Sequence, residues 1–337
     1  MNNPKITLNE HDLPFWLNND DIILSVSLGC ENESVSEGRS YFEANIDISH
    51  CFFSRSLEFS GIGGVIYISA SSYSMNVNYS MFYNCVCSSS GGAIYFKSSN
   101  SYLRMICANR CSCGTNCAGH FAYLRASLVN KVEYLSVSNC SHTTSGSYPI
   151  YLRSGNQRVD NTNSSMNNAV FVSGIYIYSS SSFTSSHCTF SNNKVSQNIC
   201  IWIQSSSDTV SISYSNIVHN NSPSSRGVIY VAGGVSTKLM YCILQNNQNT
   251  LFCVSSGSIE VSHSFIDHSG SFSTSIAVST TNNNSFTNAI TYQLQFFNSL
   301  HCNADIPLIE SKQKNTHYQT QMNSFNVFYQ VIILMIS

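Results

Sequence analysis

The stretch GGVIYIS (Gly63 to Ser69) returns as GGAIYFKS (Gly91 to Ser98) and as GHFAYLRAS (Gly119 to Ser127). Each copy begins with a small residue, alternates apolar or aromatic residues with others and ends in serine. Nine copies, separated by nearly constant steps, are centred on Tyr67, Tyr95, Tyr123, Tyr151, Tyr176, Trp202, Tyr230, Cys253 and Ala277. Self-similarity at this period predicts a solenoid, in which each repeat buries its apolar face against its neighbours.

A second motif keeps the same period. It reads Cys188-x-Phe190-x-x-Asn193 and returns as Ser215-x-Ile217-x-x-Asn220 and as Cys242-x-Leu244-x-x-Asn247. We place Arg104-x-Ile106-x-x-Asn109 in the same column. The series begins at Phe53 and ends nine periods later at Phe296. Two motifs in phase with each other make a chance repeat very improbable.

Period-two alternation identifies the repeat as β rather than helical. In Ile66-Tyr67-Ile68, successive side chains point to opposite faces of a strand. β-Branched and aromatic residues dominate, helix formers are scarce, and leucine is too rare for leucine-rich repeats. We therefore predict an all-β fold, a right-handed parallel β-helix solenoid of about ten coils. It is expected to occupy residues 41–310, after an N-terminal cap or irregular segment (1–40) and before a C-terminal tail with a short apolar end (311–337).

The composition of the chain limits the classes of partner that it is expected to bind. The chain has 337 residues, with 15 Lys plus Arg and 17 Asp plus Glu, so only 9% of its residues are charged. A basic nucleic-acid surface and a strongly acidic ion-binding surface are both disfavoured. Abundant serine and asparagine form turns, and they also offer hydroxyls and amides to sugars or proteins. We predict no nucleic-acid partner and no cofactor.

Two tetrapeptides carry a family resemblance. GGAI (Gly91 to Ile94) and FSNN (Phe190 to Asn193) resemble the paired GGA[I/L] and FxxN repeats of polymorphic outer-membrane-protein passengers. The pattern over residues 41–305 is also similar to pectin-lyase-like β-helix surface proteins of trichomonad protists, which carry such repeats. The resemblance implies a cell-surface or secreted β-helix with an adhesive role and no assigned catalysis.

The two ends are less typical of that family. We predict no signal peptide, because Asp20 and Asp21 interrupt the stretch that precedes Ile22. The apolar run from Val331 to Ile336 is shorter than the ~20 residues that span a bilayer, so membrane attachment stays open.

Nine of the fourteen cysteines fall into two patterns. Cys51, Cys188 and Cys242 occupy one repeat column, which is typical of small buried residues. A denser cluster comprises Cys85, Cys87, Cys107, Cys111, Cys113 and Cys117. In an exported protein it is expected to form disulfides, with plain thiols as the alternative. Zinc is disfavoured because C-x2-C pairs are absent, so we predict no metal.

Four tyrosines at equal steps form the candidate binding stripe. Tyr67, Tyr95, Tyr123 and Tyr151 follow one another once per repeat and are expected to stack on one face. Alternation with apolar neighbours favours an outward face, where the stripe would bind a ligand. If the stripe instead faced inward, its rings would be part of the core.

An enzyme on the same fold is the main alternative. A polysaccharide hydrolase needs two carboxylates at a fixed separation, and a lyase needs acidic groups with a nearby base. The coil carboxylates that we consider are Asp47, Asp160, Asp208 and Asp267. We interpret these as solvated turn residues, and we assign no catalytic residue. His50, His187 and His263 recur near the polar step, and we interpret them as hydrogen-bonded turn residues.

The sequence therefore favours a non-catalytic surface or secreted β-helix that acts in adhesion, by recognising a host-cell or matrix protein or glycan. The alternative is a carbohydrate-active enzyme, a polysaccharide lyase or glycoside hydrolase. A gene fragment without a retained role is compatible with the same features.

Overall fold

The protein winds as a parallel β-solenoid in which each coil contributes one strand to each of three faces. The computed structural model describes residues 45–54, 62–114, 117–140, 146–197, 199–204, 209–223 and 226–267, and the backbone of four outlying strands at 28–31, 34–35, 39–41 and 278–281. All strand pairings within this part are parallel, and each joins a coil to the next. The predicted tail at 311–337, the Phe296 copy and most of the 1–40 segment lie outside the described residues.

Two long strands, Ile94–Asn109 and Ala122–Ser138, each run along all three faces. The first face adds Arg39–Tyr41, Ile66–Ser69, Ile150–Arg153, Val172–Tyr178, Ile199–Gln204, Ile229–Ala232 and Phe252–Val254. The second face adds Leu28–Glu31, Ile46–Ser49, Ser74–Asn78, Asn156–Asp160, Ser182–Ser186, Thr209–Ser213, Val235–Met240, Gly257–Ser262 and Val278–Thr281. The third face adds Ser34–Val35, Phe52–Ser54, Met81–Tyr83, Asn163–Ser165, Thr189–Ser191, Asn216–Val218, Ile243–Gln245 and Phe265–Ile266. Two short pairs lie beside them, Val86–Cys87 with Ser112–Cys113 and Asn168–Ala169 with Lys194–Val195.

The predicted fold class is confirmed, and the number of coils is smaller than predicted. Seven complete turns run from Ile66 to Phe252, against the ten expected over residues 41–310. Further strands continue the parallel register at both ends, as where Ile46 pairs with Leu28. The right-handed winding stays a prediction.

The core consists of apolar columns that run along the axis. Ile66 lies beside Ile94, and Ile94 lies beside Ala122, all with buried side chains. On the third face, the rings of Phe53 and Phe82 stack with centroids 4.8 Å apart and an angle of 9° between their planes. Because each residue sits beside its counterpart in the next coil, a column is stable only if its side chains pack against one another.

The two glycines of the GG pair have different roles. Gly91 has a φ of 76°, a left-handed conformation that glycine adopts without strain. Gly92 is required for a different reason, because a Cβ atom there would lie 1.9 Å from the carbonyl oxygen of His120 in the next coil. Gly64 and Gly92, the second glycines of the two pairs, do not have positive φ.

The predicted alignment of one copy of the second motif is two residues out of register. The strand pairing places Ala108 beside Phe82, so the copy reads Ile106-x-Ala108-x-x-Cys111 rather than Arg104-x-Ile106-x-x-Asn109. The error arises because the strand from Ile94 continues through this region without a turn signal, and Ile106 is as apolar as a true column residue.

Asparagines at the end of this motif connect the coils. The Asn193 Oδ1 accepts a hydrogen bond from the backbone N–H of Asn167 at 3.0 Å, and its Nδ2 donates to the Ser164 carbonyl at 2.8 Å. Asn220 repeats the arrangement one coil later, accepting from the N–H of Asn193 at 3.1 Å. The residue before Asn193, Asn192, has a φ of 54°. The asparagine side chain thus satisfies backbone groups that the sharp turn removes from the sheet.

The cysteine column has an equivalent set of hydrogen bonds between neighbouring coils. The backbone N–H of Cys188 donates to the Ser215 Oγ at 3.1 Å, and that of Cys242 donates to the Ser264 Oγ at 2.9 Å. The N–H of Cys51 donates in the same way to Ser80 at 3.1 Å. The predicted shared column of Cys51, Cys188 and Cys242 is confirmed, with serines in neighbouring coils.

We expect Asn193→Ala to lower the free energy of unfolding by about 2–3 kcal/mol, because it leaves the buried N–H of Asn167 without its acceptor. Urea unfolding followed by circular dichroism measures the loss. Asn156→Ala is the matched control, since the Asn156 side chain is exposed and accepts a hydrogen bond from the Ser182 hydroxyl. It should change stability by less than about 0.5 kcal/mol. Equal effects of the two substitutions would contradict a structural role for the asparagine column.

Candidate recognition surface

The four predicted tyrosines form one row on the outside of the first face. Tyr67 pairs with Tyr95, Tyr95 with Tyr123, and Tyr123 with Tyr151, each in register with the next coil. Ile66 and Ile68 point into the core beside Tyr67, so the ring faces outward as predicted. Tyr67, Tyr95 and Tyr123 are half-buried.

The rings of this row cover one another. The Tyr67 and Tyr95 centroids are 5.4 Å apart with planes at 17°, and those of Tyr95 and Tyr123 are 4.8 Å apart at 10°. The stack breaks at Tyr151, whose ring is turned by 70° relative to Tyr123. Stacking hides the ring faces from solvent and leaves edges and hydroxyl groups outward. Burial, followed by repulsion from the neighbouring phenols, raises the pKa of Tyr95, so this hydroxyl is a neutral donor at physiological pH.

The row continues beyond the four tyrosines predicted as the binding stripe, and its middle is covered. Tyr176, Trp202 and Tyr230 extend it coil by coil. Tyr151 is only 7% exposed, however, because Tyr148 lies across it at a centroid distance of 5.3 Å. The Tyr148 ring also lies 4.7 Å from that of Tyr176. Tyr151 is therefore a packing residue of the outer face rather than an open binding residue.

Cations flank the aromatic row. Lys97, Arg125 and Arg153 lie beside one another in successive coils, each two positions after a tyrosine of the row. We call these three residues the basic row. Lys97 is exposed, and the two arginines are half-buried.

Two of the arginines on this face contact aromatic rings. The Arg153 guanidinium carbon lies 5.0 Å from the centroid of Tyr178. At the other end of the face, the exposed Arg226 lies 5.5 Å from Tyr230 and 6.0 Å from Trp202. These are cation–π distances, so the guanidinium groups are held near the rings while they stay accessible from outside.

A second aromatic row, which sequence reasoning missed, lies at the turn between the second and third faces. It consists of His187, Tyr214, Tyr241 and His263, all exposed and all with positive φ. Tyr214 and Tyr241 stack at 4.9 Å and 4°. The recurrence of His187 and His263 before the polar step was the available signal, and the tyrosines between them complete the column. His50 belongs to the same column, where it hydrogen-bonds Ser49 at 2.6 Å and stacks on Tyr79.

The predicted carboxylates do not converge. Asp160 ends a strand of the second face, whereas Asp267 follows the third-face strand Phe265–Ile266 and accepts the backbone N–H of Asn246. Asp47 accepts from the Asn76 amide at 3.0 Å, in a coil distant from both. Asp208 lies outside the described residues.

A different carboxylate pair is brought together instead. Glu133 and Asp160 are register partners on adjacent coils of the second face. Each has a basic residue two positions away: Lys131 forms an ion pair with Glu133 at 2.9 Å, and Arg158 pairs with Asp160. The pair is missing from the sequence prediction because Glu133 and Asp160 are a full repeat apart along the chain, and only the coil register makes them neighbours.

A groove of about 570 Å³ lies next to this pair. Asp47, Arg104, Lys131 and Glu133 contribute charged groups to its lining, which is otherwise mainly polar. Asp160 is not part of the lining, because its side chain is buried against Arg158 and the Ser186 hydroxyl.

The cysteine cluster is partly disulfide-bonded. Cys113 and Cys117 form a disulfide, and Cys107 is disulfide-bonded as well. Cys85, Cys87 and Cys111 are buried free thiols. The cluster predicted at Cys85, Cys87, Cys107, Cys111, Cys113 and Cys117 therefore divides into both of the expected types.

One group of side chains has the composition of a metal site. Cys113, Cys117 and His120 are buried, and their ligand atoms lie within 4.8 Å of one another. The His120 Nδ1 accepts the backbone N–H of Cys113 at 3.2 Å. Disulfide formation consumes both thiolates, and thiolates are the form of cysteine that binds metal. In the oxidised protein this group is therefore a structural crosslink.

No family model matches this chain, no curated protein matches it, and no solved structure matches it. The likeness to polymorphic outer-membrane-protein repeats accordingly rests on the motifs themselves. Among the residues that the structure describes, no helix is long and apolar enough to cross a bilayer.

We predict that the buried thiols make the folded protein less stable at alkaline pH. Burial raises the pKa of Cys200 and that of Cys242 to about 12, from the ordinary value of 9.0. Above pH 9 the unfolded chain loses these protons while the folded chain keeps them, so stability decreases as the pH rises from 9 towards 12. At pH 10.5 each thiol should cost about 1–2 kcal/mol of unfolding free energy.

Urea midpoints at pH 7.5 and 10.5, compared between wild type and the Cys200→Ala/Cys242→Ala double variant, measure this effect. The double variant should lose less stability over that interval than wild type. Cys253→Ala, at a half-buried position, should keep the full wild-type loss. Identical pH dependence in all three proteins would show that the buried thiols do not titrate as described.

Proposed function

We propose that this chain is a non-catalytic recognition rod, secreted or displayed at a cell surface, which binds a glycan or protein of a host cell or matrix through its first face. The observation that carries the proposal is the outward row of tyrosines, in register from Tyr67 to Tyr123 and flanked by the basic row. The extracellular location is supported only by the repeat resemblance.

The first face carries aromatic and basic side chains that the fold itself does not require. The core of the solenoid is already complete on the inner side of the strands, where Ile66, Ile94 and Phe96 are fully buried. Outer positions of a strand tolerate serine or threonine, as the second face shows at Thr184 and Ser211. A run of aromatic rings with outward hydroxyls is typical of a contact surface, because tyrosine supplies area and hydrogen bonds with few rotatable bonds.

The proposal predicts that Tyr95→Ala weakens binding at least tenfold on a glycan array or to host cells, because it removes the centre of the open part of the row. Tyr95→Phe separates two contributions, since it keeps the stacked ring and removes only the hydroxyl. Tyr241→Ala is the matched control: it removes a more exposed tyrosine, 43% accessible, from the second aromatic row. It should leave binding within twofold of wild type.

Loss of binding in Tyr241→Ala with full binding in Tyr95→Ala would move the recognition site to the second aromatic row. No saturable binding by the folded wild-type chain to any glycan or cell surface tested would contradict the proposal as a whole.

A carbohydrate-active enzyme is the second candidate, and the adjacency of Glu133 and Asp160 beside the charged groove favours it. The two carboxylates are register partners, so they are about one coil spacing apart, near the ~5 Å separation of retaining glycosidases. Against this role, both are already engaged by Lys131 and Arg158. Turnover of polygalacturonate or another polysaccharide that Glu133→Gln abolishes, without loss of folding, would establish the enzyme in place of the recognition rod.

A further inference from the structure

Each cation of the basic row follows a tyrosine on its strand, whereas two cations of the second face precede an acidic residue. On the second face, Lys131 and Arg158 each have an acidic residue two positions later on the same strand, and each pairs with it. On the first face the same spacing joins a tyrosine to a cation, as in Tyr95-x-Lys97 and Tyr123-x-Arg125. Side chains two apart on a strand point to the same side. Lys131 and Arg158 are therefore neutralised within their own strands, and the basic row is not.

The first face also lacks acidic side chains among the strands whose side chains the structure describes. These strands read IYIS, IYFK, AYLRA, IYLR, VSGIYIY, ICIWIQ, IYVA and FCV, with no Asp or Glu. The whole chain has only 15 Lys plus Arg against 17 Asp plus Glu. Three cations in adjacent coils, at the ~4.8 Å spacing of neighbouring strands, repel one another. A bound anion would relieve that repulsion.

The geometry of the row matches a polymer rather than a single ion. Lys97, Arg125 and Arg153 are spaced one per coil along the axis of the rod. The coil spacing is close to the length of one sugar unit in an extended polysaccharide. The outward tyrosine hydroxyls run parallel to the cations and can hydrogen-bond sugar hydroxyls, while arginine binds carboxylate or sulfate through two N–H groups.

The stacking of the tyrosines favours a glycan over a nucleic acid. Single-stranded nucleic acids bind by stacking their bases on exposed aromatic faces. In this row the faces of Tyr67, Tyr95 and Tyr123 cover one another, with planes within 17° of parallel. Only ring edges and hydroxyls remain outward, so a base has no platform there.

We propose that the first face binds an acidic polysaccharide, one that carries a carboxylate or sulfate on successive sugar units, with its chain along the rod and its anionic groups on Lys97, Arg125 and Arg153. This inference rests on the proposed function and specifies its ligand class. Neutral glycans then bind weakly, and affinity for the acidic chain falls as salt concentration rises.

The test measures binding of the purified full chain to oligogalacturonate, to sulfated heparin fragments, to a neutral glucan oligomer and to polyuridylate RNA. Wild type should bind at least one of the two acidic glycans at least tenfold more tightly than the neutral glucan and the RNA. Arg125→Gln should weaken that binding at least fivefold, and Lys97→Gln/Arg125→Gln at least twentyfold. Arg125→Lys keeps the charge and should give an intermediate loss.

Lys238→Gln is the matched control, because it removes one exposed cation from the second face. It should stay within twofold of wild type for the acidic glycan. An equal loss in Lys238→Gln and Arg125→Gln would show that overall charge, not this row, attracts the ligand. Tighter binding of RNA than of either acidic glycan would overturn the ligand class. Circular dichroism and urea midpoints must match wild type for each variant that is compared.

The outcomes separate this inference from the recognition rod itself. Binding of a neutral glycan or a host protein that depends on Tyr95 but not on Arg125 would contradict the acidic-polysaccharide ligand. It would still support recognition through the first face. No binding of any probe or cell surface would overturn both.

Discussion

The backbone hydrogen bonds of the three faces run along the axis, from each coil to the next, and this direction governs the rest of the molecule. A residue is placed beside its counterpart one coil away, so a side chain must pack against a column of equivalent side chains. Apolar columns such as Ile66, Ile94 and Ala122 meet this condition by filling the interior. Polar columns meet it only when each member bonds the next, as the asparagines at 167, 193, 220 and 247 do.

The same constraint aligns equivalent side chains on the surface of the solenoid. A tyrosine that recurs once per coil becomes a continuous strip, and so does a cation that recurs with it. A globular fold would scatter such residues over different elements, whereas a solenoid aligns them. The function that we propose therefore depends on periodic placement rather than on a cluster assembled from distant parts of the chain. The Glu133–Asp160 pair arises in the same way, from register alone.

The sequence was sufficient to predict the fold class and the outward tyrosine row, because both depend on periodicity and strand alternation. The sequence did not predict features that depend on contacts between neighbouring coils or on the bends of the chain. The burial of Tyr151 depends on Tyr148, which stands in the turn where the preceding coil has Gly119, so the repeat pattern predicts no ring at that position. The alignment at Ile106 failed because the bend before it, where Met105 has a φ of 53°, is made by a residue type that is not typical of turns. Which cysteines pair was equally beyond reach, since disulfides depend on turn geometry at Cys113 and Cys117.

The ring of Tyr148 divides the aromatic row into two parts. Its backbone has a φ of 64°, a conformation that costs a non-glycine residue about 1–2 kcal/mol, and the ring it holds there closes off Tyr151 and Tyr176. The open segments end at Tyr123 on one side and begin at Trp202 on the other, three coils or about 14 Å apart. For the recognition rod that we propose, this arrangement implies two contact segments: a ligand long enough to reach both would gain avidity through a high effective concentration, and a short one would not.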